Sequence, residues 1–318
     1  MKLMKKIVVD LNGSGDFLTV ADAIKSIQNG EETQVFIKNG VYKEKLIIDK
    51  PNVSFVGENR NDTILTFDDG AWGIDPETNE PMGTFKTASV HVLRTGEGFS
   101  AENLTFENSA GMGDEVGQAV ALYLDCDKAV IKNCRFIARQ DTLLTAPMHE
   151  DIEREPKRLN RQYFENCYIE GDVDFIFGGA TAVFKNCEIC GLDRKKDVNG
   201  YYTAACTAKD MEFGYVFFYC KFTTDCADDE TYYLGRPWRE FAKTVFINCE
   251  MGKHINRESF SKWNKFEERS KTCYYAQYNS TGEGFNKDCV ADWTHILSDD
   301  EAKIYTIENI FKDWCPTK

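Results

Sequence analysis

Six short stretches of the chain repeat one pattern of apolar and polar positions. They are "AENLTFEN" (101–108), "VIKNCRFIARQD" (130–141), "YFENCYIEGDVDF" (163–175), "VFKNCEICG" (183–191), "VFFYCKFTT" (216–224) and "VFINCEMGK" (245–253). Their central residues Asn103, Asn133, Asn166, Asn186, Tyr219 and Asn248 lie 30, 33, 20, 33 and 29 residues apart. Each stretch alternates apolar with polar residues and is rich in Val, Ile and aromatics, which are strand signals. Between Asn29 and Tyr305 no long helical periodicity competes. Recurrence at such intervals marks a solenoid, and strand repeats of unequal length predict an all-β fold, a right-handed parallel β-helix. The asparagines and cysteines would stack as ladders at the coil corners or inside. A β-sandwich would show more regular hairpin turns. The ends differ: "VADAIKSIQ" (20–28) is amphipathic and predicts an N-terminal capping helix, and "SDDEAKIYTIENIFKDW" (298–314), opening on an N-cap serine and acids, predicts a C-terminal helix. Such caps cover the open edges of a solenoid.

Composition narrows the function. The 318 residues are 42% hydrophobic, enough for a substantial core, and are expected to form one domain over 1–318. A net charge of −14 argues against nucleic-acid binding, and an acidic substrate would need locally placed arginines. The N-terminus "MKLMKKIVVD" is basic but lacks an apolar stretch of signal-peptide length, and no run is long enough to span a bilayer. A complete chain would then be cytoplasmic; a chain whose leader had been removed would be secreted. Of the twelve cysteines, only Cys187 and Cys190 form a CxxC, and the four histidines are scattered, so buried free thiols are expected rather than a metal site.

The candidate chemistry lies in "IEGDVDFIFGG" (169–179), where Asp172 and Asp174 sit among Val173, Phe175, Ile176 and Phe177. A buried lone carboxylate is costly. Strict alternation would turn Val173, Phe175 and Phe177 inward and project Asp172 and Asp174 onto the outer face. Asp141 precedes Asp174 by 33 residues and Gln118 precedes Asp141 by 23, each about one coil. A column of Gln118, Asp141 and Asp174 is therefore expected, in which close carboxylates drive their pKa values apart. Amides of Gln118 and Gln140 would stabilise an oxyanion. Gln140 and Asp141 are neighbours, so both face one site only if the strand ends or bulges there. In "YLGRPWRE" (233–240), Arg236 would pair with a carboxylate and Trp238 would stack on a sugar. Singly, each has a plainer reading: a turn-forming Asp, an inert surface Gln, a packed Trp beside a solvated Arg.

These residues carry a resemblance. The chain resembles the pectin methylesterases, carbohydrate esterases with a parallel β-helix fold, through "VVDLNGSGDFLTVADAI" (8–24), "NGVYKEKL" (39–46), "GFSAENLTFENSAG" (98–111), "GQAVAL" (117–122), "RQDTLLT" (139–145), "RQYFENCYIEGDVDFIFGGATAVFKNCEI" (161–189), "YLGRPWRE" (233–240) and "YYAQYNSTGEG" (274–284). The resemblance implies Asp174 as nucleophile, Asp141 as general acid and then base, Gln118 and Gln140 as oxyanion donors, and Arg236 as the residue holding the nucleophile. Trp238, Thr84 and Phe177 would contact substrate. It implies hydrolysis of galacturonate C6 methyl esters in pectin or methylated oligogalacturonides, with no cofactor or metal, by a monomer. Three positions depart from the family pattern: Phe260 for a Gly-Trp pair before Trp263, Gln277 for Glu, and Asp172 for Thr or Ser. They bear on substrate preference, and Asp172 on the nucleophile's pKa. The alternatives are an esterase or thioesterase for another substrate on the same scaffold, or a non-catalytic carbohydrate-binding solenoid. Polygalacturonase and pectate lyase chemistry would need motifs absent here.

Overall fold

The computed structural model describes residues 4–263 and 267–317. The chain divides into two compact units, one running to Leu144 with Asn166–Ile169, the other comprising Thr145–Glu165 and Glu170 onward. The fold is a right-handed parallel β-helix with three strands per coil.

In the first unit one sheet carries strands Lys5–Val9, Thr33–Ile37, Val53–Gly57, Ser100–Glu102 and Ala129–Lys132 in that order. A second carries Leu46–Ile48, Val90–Val92 and Leu122–Leu124, and a third Gly40–Lys43, Thr63–Phe67, Thr105–Asn108 and Arg135–Ile137. In the second unit the corresponding sets are Arg161–Glu165, Thr181–Lys185, Tyr215–Phe218, Lys243–Ile247, Tyr274–Tyr278 and His295–Ile296; Val173–Gly178, Gly200–Ala205 and Tyr232–Gly235; and Glu188–Gly191, Lys221–Thr224 and Glu250–Met251. Every pairing within these sets is parallel and in register, apart from one bulge described below.

The repeated central residue is the corner between the first and third sheets. Asn103, Asn133, Asn166, Asn186, Tyr219 and Asn248 all have φ between 49° and 59°. One residue in the left-handed region turns the chain sharply, and Asn tolerates that region best after Gly. The side chains form the expected ladder in part: Asn133 Nδ2 donates to Asn103 Oδ1 in the first unit, and Asn279 Nδ2 to Asn248 Oδ1 (2.7 Å) in the second. Tyr219 occupies the same corner but leaves 55% of its surface exposed. The residue after each corner turns inward: Cys134, Cys167, Cys187, Cys220 and Cys249 are all buried. All twelve cysteines are free. Cys220 and Cys249 donate their thiols to Phe184 O (3.4 Å) and Phe217 O (3.6 Å) of the preceding coil, so they serve as small apolar fillers with a weak donor. Inside the second unit Phe164, Phe184, Phe217 and Phe246 stack at 4.6, 4.6 and 4.8 Å between centroids, the strand spacing. Each such contact adds about 0.5–1.5 kcal/mol beyond the area buried.

The N-terminal helix is Val20–Ser26, with Thr19 as N-cap. Its first free N–H groups, on Val20 and Ala21, donate to the Glu44 carboxylate at 2.9 and 2.8 Å. The C-terminus differs from expectation. Ser298 and Glu301 make the expected capping box, but the helix stops at Ala302, and Thr306 caps a second one, Ile307–Phe311. The Thr306 hydroxyl accepts from Asn309 N–H (3.1 Å), and this local capping bond competes with continuing the first helix. Two further short helices, Gly113–Val116 and His149–Arg154, show no periodicity long enough to read in the sequence. No helix among the described residues is long and apolar enough to cross a membrane.

Candidate active site

In the second unit the site is built around a break in strand alternation. The strand Val173–Gly178 pairs with Gly200–Ala205, matching Val173 to Tyr201 but Ile176 to Thr203. Three steps on one strand face two on the other, so one extra residue is inserted, and Asp174 takes φ 51°. Phe175 and Phe177 are buried as alternation expects, but the expectation that Asp172 is displayed on the outer face is corrected, and strict alternation does not hold through this strand. Asp172 is 1% exposed and accepts from Val173 N–H (2.7 Å), while Phe175, Ile176 and Phe177 are all buried. Asp172 is thus turned onto its own backbone rather than displayed on the outer face.

Asp174 is 7% exposed and meets Arg236 in a two-pronged ion pair, Nε to Oδ1 at 2.9 Å and Nη2 to Oδ2 at 2.7 Å. Planar, paired bonds of this kind fix geometry as well as charge. The guanidinium is itself clamped, its carbon 3.8 Å from the centroid of the Tyr201 ring and 4.2 Å from that of Trp263. Burial lifts the Asp174 pKa above the ordinary aspartate value, and the Arg236 charge and hydrogen bonds oppose that lift without cancelling it. Tyr201 escaped the sequence reading, since nothing local in "GYYTAA" marks a residue that meets Arg236 35 positions later. Trp263 registered there only as the aromatic after Phe260.

Phe177 and Trp238 meet, with ring centroids 5.9 Å apart. Trp238 is half-buried, and the guanidinium carbon of Arg239 lies 4.7 Å from its ring centroid. Gly178 follows Phe177 because no side chain fits there: with φ 124°, a Cβ would lie 2.0 Å from Thr145 O.

The remaining candidates lie in the first unit. Ala119 N–H donates to Gln140 O (3.0 Å) and Ala121 N–H to Thr142 O (2.9 Å), so Gln118 and the Gln140–Asp141 pair sit on adjacent coils, as their spacing predicts. Asp141 is 8% exposed with φ 68°, in a turn just before strand Leu143–Thr145. The chain is not extended at Gln140–Asp141, which meets the condition for both to address one site. Gln140 packs against Gly113, where a Cβ would lie 2.6 Å from its Oε1. Thr84 is half-buried and opens a single 3-10 turn, Thr84–Lys86.

Two of the departures from the family pattern lie in the core. Phe260 is 1% exposed and packs on Phe246, Tyr275 and Trp293. Gln277 is 1% exposed, paired in register with Phe246 and Ile296. Phe260 also bridges Gly235, the residue before Arg236.

The second unit thus holds, on a parallel β-helix, a nearly buried aspartate bonded twice by an arginine that lies between two aromatic rings. A family model described as pectinesterase matches residues 6–313. The chain is 34% identical over 308 residues to "Pectinesterase 31" of Arabidopsis thaliana, covering 95% of this chain and 90% of that one. It is 32% identical over 340 residues to "Probable pectinesterase/pectinesterase inhibitor 64" of the same plant, covering 99% of this chain but 52% of that one, so it spans about half of that relative's length. A solved pectin methylesterase in complex with a hexasaccharide superposes with a TM-score of 0.84 at 28% identity, covering 98% of both chains. The chain belongs to the pectinesterase family, whose members are carboxylic ester hydrolases. A cytoplasmic location gains no support from these relatives.

Proposed function

We propose that this protein removes methyl groups from the C6 esters of galacturonate units in pectin or methylated oligogalacturonides, with Asp174 as nucleophile. The observation that carries the reading is the two-pronged Arg236–Asp174 pair. An ion pair kept only for stability could be replaced, both partners together, by well-packed apolar residues at little cost. Here the backbone bulges to aim one carboxylate, and two aromatic rings hold its partner.

In the proposed reaction an Asp174 oxygen attacks the ester carbonyl. The Gln118 and Gln140 amides stabilise the oxyanion as it forms. The C–O bond to the methoxy group breaks, Asp141 gives its proton to that oxygen, and methanol departs. Water then attacks the acyl carbon while Asp141 takes its proton, the bond to Asp174 breaks, and the free galacturonate carboxylate leaves. Asp141 is assigned to this role by the family resemblance and by its interval of 33 residues before Asp174, about one coil. Trp238 and Phe177 supply apolar surface to a sugar ring, and Thr84 a hydroxyl. The protein is read as acting alone, without a cofactor.

The test is methanol release from methylated galacturonate trimers and from polymeric pectin. Release from either supports the reading, and the ratio tells which length is preferred. No methanol from both substrates refutes it.

A further inference from the structure

The first unit carries an aromatic feature that the chemistry above does not use. Trp72 leaves 61% of its surface exposed, Ile74 57% and Phe85 43%. All three belong to the connection between strands Thr63–Phe67 and Val90–Val92, a long link in a coil whose other turns are short. Exposed apolar side chains on a long loop would ordinarily imply a floppy segment. This one is pinned. Trp72 N–H donates to Val116 O (3.0 Å), Ala71 N–H to Gln118 O (2.9 Å), Gly83 N–H to Ala71 O (3.0 Å) and Met82 N–H to Gly73 O (2.7 Å). Asn108 Nδ2 donates to Asp69 O and Thr87 O, both at 3.0 Å, and fixes both ends of the loop. Lys86 pairs with Asp75 across it.

The indole sits against the segment that presents Gln118. Gly117 has φ 78°, and a Cβ there would lie 3.0 Å from both Cδ1 and Nε1 of Trp72. The hydrogen bond from Gly83 to Ala71 ties the residue before Thr84 and Phe85 to the residue before Trp72. A rigid, outward-facing indole contributes little to the core and costs solvation while bare. An aromatic surface of this kind suits the C–H face of a pyranose ring, with Phe85 as a second wall.

We infer that Trp72, flanked by Phe85, is a binding platform for a sugar unit of the galacturonan chain outside the reacting residue. The inference rests on the proposed function and adds a specificity-determining residue to it. A platform away from the reacting unit makes binding depend on chain length and leaves the chemical step alone.

The experiment compares wild type, Trp72→Ala and Trp72→Phe in methanol release from methylated galacturonate trimers and from long methylated oligomers. Thermal melting confirms that each variant is folded, as expected for so exposed a side chain. Trp72→Ala should raise KM for the long oligomers about three- to tenfold with kcat unchanged, and Trp72→Phe should restore most of the loss. An active wild type with KM unchanged in Trp72→Ala, or with kcat lowered equally for both lengths, overturns the platform while leaving the proposed function intact. A wild type inactive on both substrates refutes the proposed function, and the platform falls with it.

Discussion

Replacing Arg236 by Ala isolates the feature on which the proposed reaction depends. The substitution removes two charge-assisted hydrogen bonds, at 2.9 and 2.7 Å, from a buried carboxylate. Both side chains are largely shielded, 16% exposed for Arg236 and 10% for Asp174, so solvent screening recovers little of the loss. Removing one partner of such a pair typically costs about 3–5 kcal/mol, because the other charge stays buried and unpaired. Taking about 3 kcal/mol as the part felt in the transition state, kcat/KM falls about 100-fold. The pH dependence gives a second, independent readout. Burial already lifts the Asp174 pKa, and Arg236 is the group that opposes the lift. The nucleophile must be ionised, so activity is lost as the pH falls through its pKa. In Arg236→Ala that acid limb moves to higher pH. Arg236→Lys keeps the charge but not the paired planar bonds or the fit between Tyr201 and Trp263, and should fall in between. The assay is methanol release across a pH series. Arg236→Ala within threefold of wild type, with an unmoved acid limb, would refute the clamp.

Two other outcomes follow from the fold. Phe217 is fully buried between Phe184 and Phe246, so Phe217→Ala should lower stability by about 3–5 kcal/mol in urea unfolding; a loss under 1 kcal/mol would mean the stack contributes little. Of the twelve cysteines only Cys226 is exposed, and burial pushes the Cys134 and Cys206 thiols up to about 12, where almost no thiolate exists at pH 8. A thiol reagent at that pH should label Cys226 fast, Cys289 and Cys315 more slowly, and the rest only after denaturation; rapid labelling of all twelve would contradict the packing.

The sequence discloses what is periodic and hides what is a local exception. The corners are legible because an Asn-Cys pair recurs with apolar flanks, and those flanks identify Tyr219 as a corner although it is not Asn. The capping helix at Val20 and the Ser298–Glu301 box are legible because helix ends have residue-level signatures. The bulge at Asp174 is not. One inserted residue breaks a period of two, and nothing in "DVDF" marks it, so alternation misplaces Asp172. The break between Ala302 and Thr306 is hidden for a similar reason, since a mid-segment Thr reads as an ordinary helix residue until it caps. Contacts such as Tyr201 with Arg236 or Trp72 with Gly117 join residues 35 and 45 positions apart and are set by coil stacking. The identities of Asp174 and Arg236 were readable; the manner in which one holds the other was not.

The central claim is that the carboxylate of residue 174 makes the bond to the acyl carbon. Asp174→Asn keeps the size and the bulge but removes the charge, and circular dichroism checks that the fold is kept. Methanol release from methylated oligogalacturonide by the folded variant should drop to the background of the uncatalysed reaction, with wild type active in parallel. Turnover by Asp174→Asn within tenfold of wild type would contradict the account.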